Sequence, residues 1–321
     1  MRPDLTMCFD VSLPGSVGVA EGVPGDAANA LRCSLGDGLT VLLWVPDDGI
    51  DGDLGFRPTG AECTTVHVRV EAASVSASLR DALTEYDPHD YPRGELGTWM
   101  RDVHDHVLGL LSRFLSYVRN EIGQWLLDDL AERDPDQFFH HSDARWTLDG
   151  TTWSRMRGPV GDRHTLNLII TPPLVPADWT RIEAFLNTGK DVDITKRLAT
   201  RAQLLASDGD MKGAVLEAAI CLERELSLLV IRYLEQREIH PGPVVEGKER
   251  STTRLLRVWL PLIRPGTDTN ELEAGKRIIE CRNNILHQAH TQVGDNLRAH
   301  VLSVVQLARR LCDERNAGAV R

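Results

Sequence analysis

A sustained helical pattern in the C-terminal part of the chain constrains the fold more than any other feature of the sequence. From about residue 193 onward, apolar residues recur at three- and four-residue steps, which is the spacing that lines one face of an α-helix. Breaks rich in Gly, Pro and Asp divide this pattern into segments. The predicted helices are 193–206, 210–238, 248–263, 270–289 and 295–315. Five helices joined by short loops predict an all-α bundle.

The N-terminal part carries a different pattern, of short segments with β-branched or alternating apolar residues between clusters of Gly, Pro and Asp. The strands predicted here are 5–13, 30–35, 40–45 and 64–70. The other elements predicted before residue 190 are a long helix at 95–131, strands at 146–148 and 165–170, and a short helix at 178–186. The sequence therefore predicts an α+β domain over 1–190, followed by an all-α bundle of about five helices over 191–321.

The net charge of −11 is unevenly distributed between these two parts. Residues 191–321 contain 20 Lys and Arg against 18 Asp and Glu, a net charge of +2, so residues 1–190 carry −13. Because phosphate binding needs local positive charge, an acidic first domain is a poor surface for nucleic acid. If the protein binds RNA, we expect the second domain to hold it.

Composition and motifs also indicate where in the cell the protein acts and whether it needs a cofactor. The N-terminus lacks a basic start followed by an apolar core, and no apolar stretch is long enough to span a bilayer. Six scattered Cys without a CxxC pair are typical of reduced thiols, so we expect a cytoplasmic protein that does not act at a membrane. The first domain has no phosphate-binding glycine loop or nucleophile elbow, and we expect no cofactor.

The fourth predicted helix carries the sequence Arg-Asn-Asn-Ile-Leu-His at 282–287. An Arg, a small polar residue and a His with four residues between Arg and His, on a late helix of a small bundle, resembles the motif of the HEPN superfamily. The earlier helix, with Glu223 after Leu222 in an apolar run, is similar to the long second helix of that family. The resemblance covers roughly residues 193–315 and implies a HEPN-like bundle.

The resemblance implies a metal-independent endoribonuclease that works as a homodimer or higher oligomer on an RNA substrate. The 2′-hydroxyl of RNA would attack the adjacent phosphate, leaving a 2′,3′-cyclic phosphate. His287 would be the general acid or base, since imidazole titrates near neutral pH. Arg282 would stabilise the charge on the phosphate, and Asn283 would position it. Glu223 and His290 are possible auxiliary residues.

Helix geometry shows that the motif is not a complete site by itself. Asn283 and His287 are four residues apart and lie about 40° apart on an ideal helix, whereas Arg282 and His287 lie about 140° apart. A compact site therefore requires that the helix ends or bends near His287, that the Arg282 side chain reaches round, or that two copies pair their motifs across a two-fold axis.

Two other interpretations of the motif remain open. Arg282 could be a solvated helix residue paired with Glu280 or Glu223, with His287 placed favourably at a helix C-terminus. A HEPN-like bundle could also keep the motif and serve only as a dimerisation or binding scaffold.

The resemblance further implies a toxin or an antiviral defence effector, in which the first domain would sense a trigger, bind a protein partner or regulate the nuclease.

The first domain contains one weaker candidate for metal binding. Asp102 and His106 are four residues apart, as an ion pair on a helix would be, and ligands could come from His140, His141 or Asp143. Solvated polar side chains explain these residues more simply, so the sequence predicts no metal site.

Overall fold

A computed structural model describes residues 3–20, 23, 25, 27–36, 38–45, 61–87, 92–124, 127, 144–156, 173–245, 251–287 and 293–318. The chain divides into two compact units, Met1–Asp191 and Val192–Arg321. The first unit combines an antiparallel sheet with helices, and the second is helical. The prediction of an α+β region followed by an all-α region is confirmed at this level.

The described strands of the first unit form one six-stranded antiparallel sheet with the order β2-β3-β4-β1-β5-β6. The strands are β1 (Leu5–Val19), β2 (Leu31–Gly36), β3 (Leu39–Trp44), β4 (Ala61–Ala72), β5 (Arg145–Thr147) and β6 (Ser154–Arg155). The helices are α1 (Ala77–Thr84), α2 (Gly94–Tyr117) and α3 (Pro176–Asn187). The predicted strand at 165–170 lies outside the described residues.

Alternation along the strands gives the sheet one apolar and one polar face. Leu5, Met7 and Phe9 of β1 are buried, and in β4 Val68 and Val70 are buried as well. These residues share a single core with the buried residues of α1, α2 and α3. Most residues between them in the strands carry polar side chains on the opposite face, where Leu42 and Thr6 are nevertheless buried.

The long helix of the first unit is shorter than the sequence predicts. Helix α2 ends at Tyr117 and continues as a π-helical turn, Val118–Ile122. Gly123 then adopts a left-handed conformation with φ of 94°, which favours glycine and terminates a helix. The predicted extension to residue 131 is therefore wrong where the chain is described, because Gly123 stops the helix.

The second unit is built mainly from four long helices. Its elements are α4 (Ile194–Ser207), α5 (Met211–Glu235), α6 (Gly242–Val245), α7 (Thr252–Arg254), a π-helical turn (Leu255–Trp259), α8 (Leu260–Ile263), α9 (Thr269–His287), a 3₁₀ turn (Asp295–Leu297) and α10 (Arg298–Asn316). The side chain of Asp193 caps α4 and that of Asp210 caps α5. The long helices pack around one apolar core.

The third predicted helix is helical over residues 252–263, but it is not a regular α-helix. Residues 252–263 form a turn of α-helix, a π-helical turn and a second turn of α-helix. Pro261 lies in the first turn of α8. Its ring removes a backbone donor, so a regular α-helix cannot run through this position without losing a hydrogen bond. The wider π-helical turn lies immediately before α8.

Candidate functional site

Helix α9 carries the motif and packs closely on its neighbours. Ile278, Ile279 and Ile285 bury one face of the helix in the core. At Gly275, an added methyl group would lie 2.8 Å from a methyl carbon of Leu256 and 3.3 Å from one of Leu222. Glycine at this position therefore lets α9 approach α5 closely at Leu222. Glu223 is the next residue of α5 and so lies near α9.

The structure brings Arg282, Asn283 and Glu223 together. Arg282 donates a hydrogen bond from Nη1 to Asn283 Oδ1 at 3.1 Å and another from Nη2 to Glu223 Oε2 at 3.3 Å. The Arg282 and Glu223 side chains are 29% and 21% exposed. A half-buried guanidinium held at two of its nitrogens has a defined orientation, and each of its two contacts uses one of five N–H donors.

His287 is the last residue of α9, and it is exposed. Arg282 to His287 is continuous α-helix, so the ideal-helix separation of about 140° between their directions applies. The helix does not bend between the two residues, and the chain directly beyond His287 lies outside the described residues. Arg282 contacts Asn283 and Glu223 rather than reaching round toward the histidine.

The remaining predicted residues have mixed outcomes. His290 lies outside the described residues, as do His140, His141 and Asp143. Asp102 and His106 are both exposed, as solvated side chains would be, and Nδ1 of His106 lies 2.6 Å from the backbone oxygen of Asp102. His104, which lies between these two residues in α2, is buried, and its Nδ1 lies 2.9 Å from the Asp105 carboxylate.

A second charged cluster, which the sequence patterns did not predict, lies inside the helical unit. Arg315 of α10 contacts Glu225 through Nε and Nη2 at 3.1 Å each, and it contacts Asp193 through Nη2 at 2.7 Å. The Glu225 side chain is 1% exposed and also accepts a hydrogen bond from the Thr195 hydroxyl. The signal in the sequence is that Glu225 shares a helix face with Leu222 and Leu229, at spacings of three and four residues.

Opposite charges set the protonation states in this cluster. Burial by itself would raise the pKa of Asp193, but hydrogen bonds from Arg315 and from the backbone N–H of Thr195 outweigh it and lower the pKa. Burial opposes the charge of Arg315 in the same way, while the hydrogen bonds to Glu225 and Asp193 raise its pKa above the ordinary value. The cluster is therefore a charged network at neutral pH.

The same cluster contains a group with the composition of a metal site. Ligand atoms of Asp193, Glu225 and Cys312 lie within 4.8 Å of one another. Arg315 already donates hydrogen bonds to both carboxylates, and burial raises the pKa of the Cys312 thiol to about 12. A cation would have to displace the guanidinium and remove this proton, so the group fits an ionic link better than a metal centre.

Comparisons with models of known protein families, with curated proteins and with solved structures find no match. Among the described residues, no helix combines the length and the apolar character that crossing a membrane requires. The functional interpretation therefore depends on the residues of the motif and on their surroundings.

Proposed function

We propose that the helical unit is a metal-independent endoribonuclease of the HEPN type. The observation that carries the proposal is the arrangement of Arg282, oriented by Glu223 and Asn283, on the same helix as an exposed His287. A permanently charged, planar donor and an imidazole are the two groups that phosphodiester cleavage by the 2′-hydroxyl of RNA requires. Glu223 acts as a positioning residue for Arg282.

In this mechanism the 2′-oxygen forms a bond to phosphorus and the bond from phosphorus to the 5′-oxygen breaks. A neutral imidazole takes the proton of the 2′-hydroxyl, and a protonated imidazole gives a proton to the departing 5′-oxygen. Arg282 keeps N–H donors beyond its contacts with Asn283 and Glu223, and these would bind the phosphate oxygens as charge develops. The products are a 2′,3′-cyclic phosphate and a 5′-hydroxyl.

A second copy of the chain completes the site in this proposal. Because Arg282 and His287 point about 140° apart on a straight helix, one chain does not direct both side chains at one phosphate. A two-fold axis near the end of α9 would set Arg282 of each chain beside His287 of the other. Leu286, next to His287, is 58% exposed, and a partner helix would cover it.

Mixing two inactive variants tests this shared site. Arg282→Ala and His287→Ala should each be inactive alone, but their heterodimer should contain one intact site, with Arg from one chain and His from the other. Random pairing makes about half of the dimers mixed, and one of their two sites is intact, so co-expression should restore about one quarter of wild-type cleavage. The readout is cleavage of labelled RNA in the presence of EDTA.

The control for this mixture is co-expression of Arg282→Ala with a second, differently tagged copy of itself, which should stay inactive. If the mixture of the two variants is no more active than either variant alone while the wild type cleaves, the shared site is wrong. If the wild type leaves RNA intact as well, the ribonuclease proposal fails.

The contact between Arg282 and Glu223 favours one alternative function. An ion pair neutralises the charge that a phosphate would bind, as expected for a non-catalytic scaffold that keeps the bundle only to dimerise or to bind a protein partner. In that case Arg282→Ala and His287→Ala would leave dimerisation unchanged, and the wild type would not cleave RNA. Under the leading proposal, the protein is a cytoplasmic toxin or antiviral defence effector whose first unit senses a trigger or regulates cleavage.

A further inference from the structure

The polar face of the sheet in the first unit carries a row of arginines. Paired residues on neighbouring antiparallel strands point to the same side of a sheet, so the strand register defines rows that cross all six strands. One such row consists of Arg32, Leu42, Arg69, Cys8, Arg145 and Arg155, taken from β2 to β6. We call these six residues the arginine row. Four of its six positions are arginine, one on each of β2, β4, β5 and β6.

The spacing of the row suits an extended chain of negative charges. Neighbouring strands lie about 4.8 Å apart, so the row spans about 24 Å, and arginines two strands apart are separated by about 10 Å. Arg145 and Arg155 are exposed. Arg32 and Arg69 both contact the Glu71 carboxylate, at 3.0 and 2.9 Å.

The local charge of this face is opposite to the charge of the unit that carries it. In the described part of the strands, the four guanidinium groups of the row are accompanied by the carboxylates of Glu71 and of Asp10, which contacts His67. The surrounding residues 1–190 sum to −13. This net charge led to the expectation that the first domain is a poor surface for nucleic acid. Strand pairing nevertheless concentrates positive charge on one face of the sheet, which the net charge of the whole domain does not reveal.

Aromatic rings lie in the next row of the same face. Trp44 of β3 pairs with His67 of β4, and their ring centroids are 5.4 Å apart at an interplanar angle of 41°. Single-stranded nucleic acids bind where a basic track for the backbone runs beside rings on which bases can stack. An acidic polypeptide would be held by the arginines but would have no use for the rings.

We propose that the polar face of the sheet, through the arginine row and the neighbouring Trp44–His67 pair, binds single-stranded RNA. The choice of RNA among polyanions rests on the ribonuclease function proposed above. The first unit then holds the strand that the helical unit cleaves. Arg145 and Arg155 bind phosphates at one end of the row, and the rings stack on bases toward the other.

Fluorescence anisotropy with the full chain tests this inference separately from catalysis. The protein carries His287→Ala so that the probe stays intact, and the probe is a labelled single-stranded RNA of about 12 nucleotides. Adding Arg145→Gln and Arg155→Gln should weaken binding at least about tenfold, and the slope of log K against log salt should fall by about 1.4, or about 0.7 for each phosphate that is no longer neutralised. The matched control replaces two exposed arginines at helix α2, Arg93→Gln and Arg101→Gln, and should bind as tightly as the parent.

Equal binding by the arginine-row variant and by the control variant would overturn the inference. So would failure to bind RNA together with row-dependent binding of polyglutamate, which would make the face a docking site for an acidic protein. The two proposals can fail independently. Row-dependent binding without cleavage by the wild type would remove the ribonuclease function alone, whereas cleavage with equal binding by both variants would remove only the role of this face.

Discussion

Replacing Arg315 by alanine should lower the free energy of unfolding of the helical unit by about 3–5 kcal/mol. Glu225 is 1% exposed, and the Arg315 guanidinium donates two hydrogen bonds to its carboxylate in the core of the unit. Without that guanidinium the buried carboxylate keeps the hydroxyl donor of Thr195, while the guanidinium of Arg224 lies 3.9 Å away, beyond hydrogen-bond distance. Asp193 loses the same partner.

Two variants separate the buried charge from a general effect of truncating an arginine. The double variant Arg315→Ala with Glu225→Gln should recover more than about 1 kcal/mol, since a neutral amide costs less to bury than a carboxylate. Arg310 lies on the same helix as Arg315 and forms an exposed ion pair with Glu271 of α9. Arg310→Ala should therefore lower the free energy of unfolding by less than about 1 kcal/mol. The measurement is urea unfolding followed by hydrogen exchange of peptides from residues 192–318. A loss for Arg315→Ala no larger than that for Arg310→Ala would contradict the network.

The same network makes the stability of the helical unit depend on pH. The pKa of Asp193 in the folded protein lies below its ordinary value of 3.8, so its ion pair contributes fully above that value. The contribution is lost as the pH falls through the lower, folded-state pKa. Asp193→Asn, which keeps an N-cap side chain for α4, should therefore be less stable than the wild type at pH near 7 and should approach it near pH 2. A stability difference that does not change between these pH values would contradict this assignment.

Replacing His287 by alanine should reduce RNA cleavage by about 10²–10⁴-fold, the range associated with a general acid or base. Arg282→Ala should have a comparable effect through loss of charge stabilisation on the phosphate. Because the His287 side chain is exposed, its replacement should leave the unfolding curve unchanged. The measurement is the initial rate of cleavage of a labelled RNA in EDTA.

The matched control is His240→Ala, at another exposed histidine of the same unit, beyond the end of α5. It should retain wild-type activity, since its ring contacts only the backbone N–H of Gly242 among the described residues. Equal activity for His287→Ala and the wild type would mean that the motif does not carry the cleavage.

The helical unit could be predicted well because its signals are local. The three- and four-residue apolar spacing and the breaks rich in Gly, Pro and Asp locate α4 and α5 within a few residues. The errors arise where one residue changes the local geometry. Gly123 stops α2 early, and Pro261 follows a π-helical turn in a segment that the apolar pattern predicts as one regular helix.

The candidate site could be predicted only in part, because its contacts join distant segments. The sequence offers two partners for Arg282, Glu280 and Glu223. The structure pairs it with Glu223, 59 residues away. The link from Arg315 to Asp193 spans 122 residues and depends on how the first and last helices of the unit pack. The arginine row depends on the register of six strands, and a shift of one residue would move each arginine to the other face.

The chemical ends of RNA cut by the purified wild-type protein in EDTA test the central claim most directly. If Arg282 and His287 promote attack by the 2′-hydroxyl, one fragment will end in a 2′,3′-cyclic phosphate and the other will begin with a 5′-hydroxyl, and both will form far more slowly with His287→Ala. Intact RNA, or ends that carry a 3′-hydroxyl and a 5′-phosphate from attack by water, would contradict the account.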